Sequence, residues 1–356
     1  MSVQTVRTLL AVSILWASIG ASAQPVQESV FKQLFPNPTG QNGYEEIVMA
    51  GELAKGCEGL ATDGRSTLTE KRRLLSNPDA IRALALFRQG LKKPIHAPHG
   101  TTGEPRFEAF SAIRALARLL MVEQYVLLAD GKVGAAIDSL RDGLTLGYAI
   151  ARDAILGGLV ASAVDMIVVR TLERHIEQLS VRDCDRLRKL AVDWLNMPDP
   201  AIDALEAERI LMHKRLQEQL GGTNAELGSQ AMGIIDARID VTVASLRSPY
   251  WERKELPELT GNYPAEQYVR NLGIEEIFDQ ALNRFARDQA WVQILGVHAA
   301  IRSYKWENNR LPDSLEQLRL GRMVIDPFTG KPLIYKRTGD NTYELTSEGL
   351  KPIPPS

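Results

Sequence analysis

Apolar side chains recur with a helical period along nearly the whole chain. Between residues 107 and 130, Ile113, Leu116, Ala117 and Leu120 keep the i, i+3, i+4, i+7 spacing of one helix face. The same reading predicts helices at about residues 43–56, 67–76, 78–92, 106–130, 133–152, 155–178, 181–196, 200–221, 229–246, 265–283 and 285–308. The connections are mostly short, so successive helices are expected to be antiparallel neighbours.

Two kinds of signal mark helix starts. A Ser or Thr followed three residues later by an acid forms a capping box, and Asn or Asp before Pro places an N-cap ahead of the first helical residue. The first kind occurs at Thr67–Glu70 and Ser180–Asp183, and the second at Asn77–Pro78 and Asp199–Pro200. These signals place four of the predicted helix starts.

The fold class predicted from these patterns is mainly α. Gly131, Ala136, Leu140, Gly143 and Leu144 fall at the offsets of the second half of a tetratricopeptide unit, where small residues let paired helices pack closely. A second copy at a similar period is not found in the sequence. We therefore expect either a multi-helix bundle or an irregular, TPR-like array of helical hairpins.

The run from Ile155 to Val169 is almost entirely apolar and contains Asp165. A helix that is apolar on all sides is expected at the centre of a bundle rather than across a membrane, so Asp165 becomes a buried carboxylate that needs a partner. Arg114, Arg118 and Arg170 are the candidates. A structural ion pair is favoured over a catalytic role for Asp165.

The pattern changes after Asn309. A short helix is predicted at 311–318, a turn at 326–330, and two strands at 333–336 and 343–346. A lone two-stranded hairpin is marginal in water, so this hairpin is expected to pack on the long helix before it or on the bundle beyond.

Three motifs in this C-terminal part resemble a known family. They are Leu-Pro-x-Ser-Leu-x-x-Leu at 311–318, Asp-Pro-Phe-x-Gly-x-Pro-Leu-x-Tyr at 326–335 and Tyr-x-Leu-x-Ser-x-Gly at 343–349. Following a long helix, this ending resembles the C-terminal part of type II secretion pseudopilins, over about the last 50 residues. The ending is also similar to that of uncharacterised exported helical proteins. The resemblance implies a shared local architecture.

The chain departs from the pseudopilin pattern at both ends. Pseudopilins begin with a prepilin-peptidase site and a long apolar helix, whereas this chain begins like an ordinary signal peptide. Their calcium site uses acidic residues near the end, whereas Gly349 is followed here by Leu350, Lys351 and Pro352. Neither filament assembly nor calcium binding is therefore carried over.

The N-terminus predicts export. Arg7 supplies a positive charge, Leu9–Gly20 forms a short apolar stretch, and Ala21-Ser22-Ala23 fits a cleavage site before Gln24. We expect a signal peptide at 1–23, a helical domain at 24–308 and the C-terminal appendage at 309–356. The expected location is the periplasm or the exterior, with no transmembrane span in the mature chain.

Charge and cysteine usage narrow the function classes. A net charge of −2 with 24% charged residues indicates neither a nucleic-acid binder nor a polybasic membrane-surface protein.

Cys57 and Cys184 are the two cysteines of the sequence. In an oxidising compartment they form one long-loop disulfide, or they are two unpaired core residues, and the sequence leaves both open.

The sequence offers few residues that point to chemistry. His96 and His99 flank a Pro in a loop and are weak metal candidates, because no third ligand follows at a recognisable spacing. Tyr250 and Trp251 lie in a long Pro-rich connection, which indicates either a lid or contact loop or a loop that these aromatic residues pin to the bundle. Familiar catalytic and cofactor motifs are not present in the sequence, so no cofactor and no catalytic residue is predicted.

Three hypotheses follow. The first is an interaction or scaffold protein of the cell envelope with an unidentified protein partner, based on the export signal and the helix-pair pattern. The second is a helical enzyme or small-molecule binder with a site between helices, based on Asp165 and its apolar helix. The third is an accessory to a secretion machine, based on the C-terminal resemblance alone.

Overall fold

A computed structural model describes residues 29–57, 66–97, 104–253 and 259–350. Within these residues the chain forms twelve α-helices and one two-stranded antiparallel sheet, which confirms a mainly α fold with a C-terminal β-hairpin. The helices are α1 (Val30–Leu34), α2 (Gly43–Gly56), α3 (Leu68–Leu75), α4 (Pro78–Gly90), α5 (Glu104–Ala129), α6 (Val133–Ala151), α7 (Ala154–Arg174), α8 (Val181–Leu195), α9 (Pro200–Leu220), α10 (Ala225–Ser245), α11 (Pro264–Asn271) and α12 (Ile274–Asn308). The predicted signal peptide lies outside the described residues.

Helix starts follow the local capping chemistry. Both predicted capping boxes form, with the Thr67 and Ser180 side chains accepting from the backbone N–H three residues on. The Asn77 and Asp199 side chains also cap their Pro-initiated helices, α4 and α9. Local hydrogen bonds therefore fix where these four helices begin.

The structure differs from the predicted helices at four places, and one is the short helix predicted at 311–318, where the structure has a single 3-10 turn at Leu315–Leu318. The short helix α1 was not predicted, and the segment predicted at 265–283 divides at Gly273, whose φ of 66° ends the helical path of α11. The break predicted at about residue 284 does not occur. The stretch around it contains neither Gly nor Pro, so α12 continues through it for 35 residues.

Two hydrophobic clusters form the interior. The larger one is built from α1–α8, the C-terminal half of α12 and the appendage. The smaller one is built from α9, α10, α11 and the N-terminal part of α12, joined by Ile155 at the start of α7. Phe285 packs against both clusters, so the long helix α12 connects them.

Helix α7 lies at the centre of the larger cluster. It packs against α5, α6 and α12, as its apolar sequence predicts. Helix α7 is also the one described helix that is long and apolar enough to span a membrane, but 61% of its apolar window is buried inside the structure. A core helix of a soluble protein has the same properties, so the composition of α7 is weak grounds for a membrane span.

The C-terminal appendage docks on α12. Strands β1 (Ile334–Arg337) and β2 (Tyr343–Thr346) pair in antiparallel register, with Ile334 opposite Thr346. The Tyr343 hydroxyl lies 2.7 Å from Nδ1 of His298 on α12. Buried Asp326 accepts hydrogen bonds from Phe328 N, Ser347 Oγ and Glu348 N at 2.9, 2.9 and 2.7 Å. Asp326 thus fastens the turn before β1 to the chain after β2.

Candidate functional site

A cavity of about 800 Å³ opens where the two hydrophobic clusters meet. Its walls come from α6, α7, α8, α12, the connection 197–200, the segment 246–253 and the appendage. Three residues that the sequence singled out, Asp165, Tyr250 and Trp251, all line this cavity. The fold therefore brings them together although they are far apart in the sequence.

Two carboxyl groups lie at the buried side of the cavity. Asp165 on α7 and Asp288 on α12 are 3% and 5% exposed. Burial, and then the nearby Asp288 charge, raises the pKa of Asp165 well above its usual range. Burial raises the pKa of Asp288 to about 7, although the Ser162 hydroxyl donates to its Oδ1 at 2.7 Å. Near neutral pH the pair therefore holds a proton that it can give or share.

Small residues on the helices make room for this pair. A Cβ at Gly147 of α6 would lie 1.9 Å from Asp165 Oδ1, so only Gly permits the carboxyl group to sit there. A Cβ at Gly158 of α7 would lie 2.6 Å from the ring of Phe285, which borders the cavity from α12. The close approach of α6, α7 and α12 thus depends on Gly at these two points.

Several buried polar atoms beside the cavity lack a hydrogen-bond partner among the described residues. They are Oδ1 of Asp165, Oε1 of Gln293 and Nε1 of Trp194. The Gln293 amide is oriented by its Nε2, which donates to the Ile325 carbonyl at 2.9 Å. Buried polar atoms are usually paired, so these three atoms indicate a place for a hydrogen-bonding ligand or water.

The loop around Tyr250 closes one side of the cavity and rests on the appendage. The rings of Tyr250 and Phe328 meet edge to face, 5.4 Å apart, and the Trp251 indole lies against Gly330. Arg253 stacks over Tyr250 and pairs with Asp199 at 3.5 Å. The two aromatic residues thus pin the loop to the protein and also line the cavity.

The charged neighbour of Asp165 differs from the expected one. In the part of the chain that the structure describes, no ion pair joins Asp165 to Arg114, Arg118 or Arg170, and the charge that acts on it is that of Asp288. Sequence reasoning missed Asp288 because Arg284 and Arg287 beside it suggest an exposed helix face. One signal in the sequence could have indicated it. Helix α7 is apolar on all sides and must be covered by other helices, and α12, which carries Asp288, is one of them.

The histidine candidates do not form a metal site in the described residues. His96 lines a smaller cavity of about 220 Å³ with Asp203 and Glu206, and its backbone N–H donates to Asn42 Oδ1 at 3.0 Å. His99 lies outside the described residues. No group of three or more His, Cys, Asp or Glu side chains in the described ranges is placed to hold a metal ion.

Both cysteines are buried in the larger cluster as free thiols. Cys57 follows the end of α2 and Cys184 lies on α8. The structure thus has no disulfide between them, and of the two alternatives left by the sequence it presents the unpaired core residues. Burial raises the pKa of the Cys184 thiol to about 12, so this sulfur is a poor nucleophile.

Comparisons of the chain with protein-family models, with curated proteins and with solved structures gave no match.

Proposed function

We propose that this protein binds a small molecule in the cavity between α7, α8 and α12. The observation that carries the proposal is Asp165, a buried carboxyl group that borders the cavity and has no hydrogen-bond partner on Oδ1 among the described residues. A buried polar atom without a partner destabilises the fold by about 1 to 3 kcal/mol, so its presence beside a cavity favours a binding role.

The size and lining of the cavity support this proposal. Its volume of about 800 Å³ falls within the range of small-molecule sites. Tyr148, Trp194 and Phe285 supply aromatic surface, and a few polar groups converge between them. Such a combination of apolar wall and sparse polar groups is typical of pockets that bind and orient an organic ligand.

An acid–base reaction is the second candidate, because the carboxyl pair can hold a proton at neutral pH. Asp288 has a pKa of about 7, which suits a group that both accepts and donates a proton. In this case Asp165 and Asp288 would exchange a proton with the bound molecule. Replacing either by Asn would then abolish turnover while binding persists.

Export to the periplasm or the exterior is part of the proposal and draws on residues 1–23. The hypotheses of an envelope interaction protein and of an accessory to a secretion machine stay predictions from the sequence. A polypeptide that remains bound during isolation would favour either of them over the pocket.

Native mass spectrometry of the untagged protein from the envelope fraction of its host tests the proposal. The chain mass reports cleavage before Gln24, and we expect an additional small-molecule mass that is released on activation. Ala286 on α12 is 4% exposed and borders the cavity two residues before Asp288, so the larger side chain of Ala286→Leu should narrow the cavity beside the acid pair and reduce the adduct.

The matched control is Ala244→Leu. Ala244 lies on the exposed side of α10 and does not line the cavity, so this variant should keep the adduct. Thermal unfolding verifies that both variants fold. A wild-type protein without an adduct, or an Ala286→Leu variant that keeps it in full, would contradict the proposal.

A further inference from the structure

We propose that the ligand of this cavity is an organic ammonium compound with at least one N–H, held by Asp165 and Asp288 while its apolar body packs on the aromatic wall. This inference rests on the proposed function and names the ligand class of the same cavity.

The charges of the cavity favour a cation at its buried side. Asp165 and Asp288 are the two buried charged residues that line it, and in the described chain neither forms an ion pair with Lys, Arg or His. Arg284 and Arg287 act on Asp288 from a distance and are themselves exposed. Ionising this buried pair without a cation is costly, and a bound ammonium group would favour its ionised form.

The hydrogen-bonding atoms indicate which kind of cation fits. Asp165 Oδ1 and Gln293 Oε1 are buried acceptors without a described partner. The Gln293 amide cannot turn its Nε2 toward the cavity without leaving the carbonyl groups of Arg322 and Ile325, to which it donates at 3.3 and 2.9 Å. Gln293 Oε1 therefore needs an N–H or O–H donor from the ligand, and Asp165 Oδ1 needs one when its carboxyl group is ionised, whereas the Trp194 Nε1–H needs an acceptor. A primary ammonium group has three N–H donors, whereas a quaternary one has none.

The wall beside the acids suits the rest of such a ligand. Tyr148, Trp194 and Phe285 line the cavity together with Ala161. Aromatic faces attract a neighbouring cation and also cover an apolar or aromatic body. The same wall would give a neutral ligand apolar contacts but no charge pairing, so the charge of the ligand can be tested separately from its shape.

Three arginines of the described chain also line the cavity, and they do not change this assignment. Arg253 already pairs with Asp199 and stacks over Tyr250. Arg247 and Arg322 are exposed to solvent, where the attraction of an anion is weak and screened by salt. An anionic ligand would therefore meet the buried acid pair with repulsion if it filled the cavity.

Four probes that share a phenylethyl body and differ in their head group test the inference by calorimetric titration at pH 7.5. They are 2-phenylethylamine, its N,N,N-trimethyl derivative, 2-phenylethanol and 3-phenylpropanoate. We expect the primary amine to bind about tenfold more tightly than each of the other three, because it alone supplies both charge and N–H donors.

Variants locate the effect at the acid pair. Asp165→Asn and Asp288→Asn should each weaken binding of 2-phenylethylamine about tenfold, and leave binding of 2-phenylethanol within about twofold. Binding of the alcohol also reports that the cavity of each variant is intact. The control Asp185→Asn removes an exposed acid of α8 that pairs with Arg188, and it should change none of the four affinities.

The outcomes separate this inference from the proposed function. If the alcohol or the propanoate binds as tightly as the amine, or if Asp165→Asn has no effect, the ammonium assignment is wrong while the cavity remains a binding site. If none of the probes binds, the ammonium assignment is also overturned. In that case, native mass spectrometry of the wild-type protein and of Ala286→Leu tests separately whether the cavity binds a different class of molecule.

Discussion

At the scale of single residues, the acid pair makes the stability of the protein depend on pH. Burial raises the pKa of Asp288 to about 7 and that of Asp165 well above its usual range. The unfolded chain has ordinary carboxyl groups with a pKa near 3.8, so between these values the folded protein binds more protons. The stabilisation by protonation is complete below about pH 4 and is lost as the pH rises through about 7.

Asp288→Asn should therefore stabilise the protein at pH 8 and change little at pH 4. The amide keeps the shape and the acceptor for Ser162, and it removes the ionised form. We expect a gain of about 4 kcal/mol in the free energy of unfolding at pH 8, because the pKa rises from 3.8 to about 7 and one pKa unit corresponds to about 1.4 kcal/mol. Urea unfolding at several pH values measures it. A gain that is equal at pH 4 and pH 8 would show that ionisation of Asp288 is not its cause.

Gly147→Ala tests the close contact that positions Asp165. The added Cβ would lie 1.9 Å from Asp165 Oδ1, so α6 or the carboxyl group must move. We expect a loss of about 2 kcal/mol in the free energy of unfolding, typical of overpacking. In the Asp165→Ala background the same change should cost much less, because the clashing oxygen is gone.

The matched control for Gly147→Ala is Gly233→Ala in α10. A Cβ at Gly233 meets no atom within 4 Å, so Ala should be neutral or stabilise the helix by about 0.5 kcal/mol. Equal losses for both variants would mean that helix propensity, and not the contact with Asp165, explains the result.

The sequence reveals a site residue only where its polarity or size differs from that of the residues around it in the chain. Asp165 stands out because it interrupts an apolar run, and Trp251 because a large aromatic residue lies in a polar loop. Asp288, Gln293 and Trp194 have ordinary surroundings in the sequence. Their importance arises from unpaired atoms and burial, which depend on how distant helices pack.

At the scale of elements, helix starts were predictable because their hydrogen bonds are local. Capping side chains act within three residues, so Thr67 and Ser180 mark their helices in the sequence itself. The continuity of α12 was not predictable in this way. Its polar stretch around residue 284 resembles a connection, but packing against both clusters keeps it helical.

The stability of the appendage depends on Asp326, whose side chain connects the turn before β1 to the chain after β2. Asp326→Ala removes an acceptor for three donors, two of them backbone N–H groups. We expect a loss of about 3 kcal/mol in the stability of the hairpin, because two N–H groups lose their partner. Hydrogen exchange at residues 334–346 should accelerate while that of α5 and α7 stays unchanged.

Asp340→Ala is the control for the appendage. Asp340 is exposed in the turn between β1 and β2 and should alter hydrogen exchange only near itself. If exchange in the helices rises as much as exchange in the hairpin, the appendage is part of the main cooperative unit and the prediction is wrong.

At the scale of the whole molecule, α12 and the start of α7 both connect the two hydrophobic clusters, and we expect α12 to carry much of the coupling in unfolding. Phe285 contacts both clusters, whereas Phe278 is buried in the smaller cluster alone. We expect Phe285→Ala to cost about 3 kcal/mol and to split thermal unfolding into two transitions, because the shared side chain is lost. Calorimetry measures the ratio of calorimetric to van't Hoff enthalpy.

Phe278→Ala should lower the stability by a similar amount without splitting the transition, because the connection through Phe285 is retained. A single transition for Phe285→Ala would mean that contacts other than this ring hold the two clusters together. The cavity itself, like this coupling, was not predictable from the sequence, because it is space left between elements that touch elsewhere.

Helix α12 is long enough to run through both hydrophobic clusters. A helix of 35 residues spans about 52 Å, and its N-terminal part packs in the smaller cluster while its C-terminal part packs in the larger one. Asp288 and Gln293 lie on α12 close to Phe285 and line the cavity, so a change in the tilt of α12 would alter the spacing of the cavity walls. A molecule that draws Asp165 and Asp288 together should therefore change the distance between α10 and β2. Distances between spin labels on α10 and β2, measured with and without 2-phenylethylamine, would record that movement.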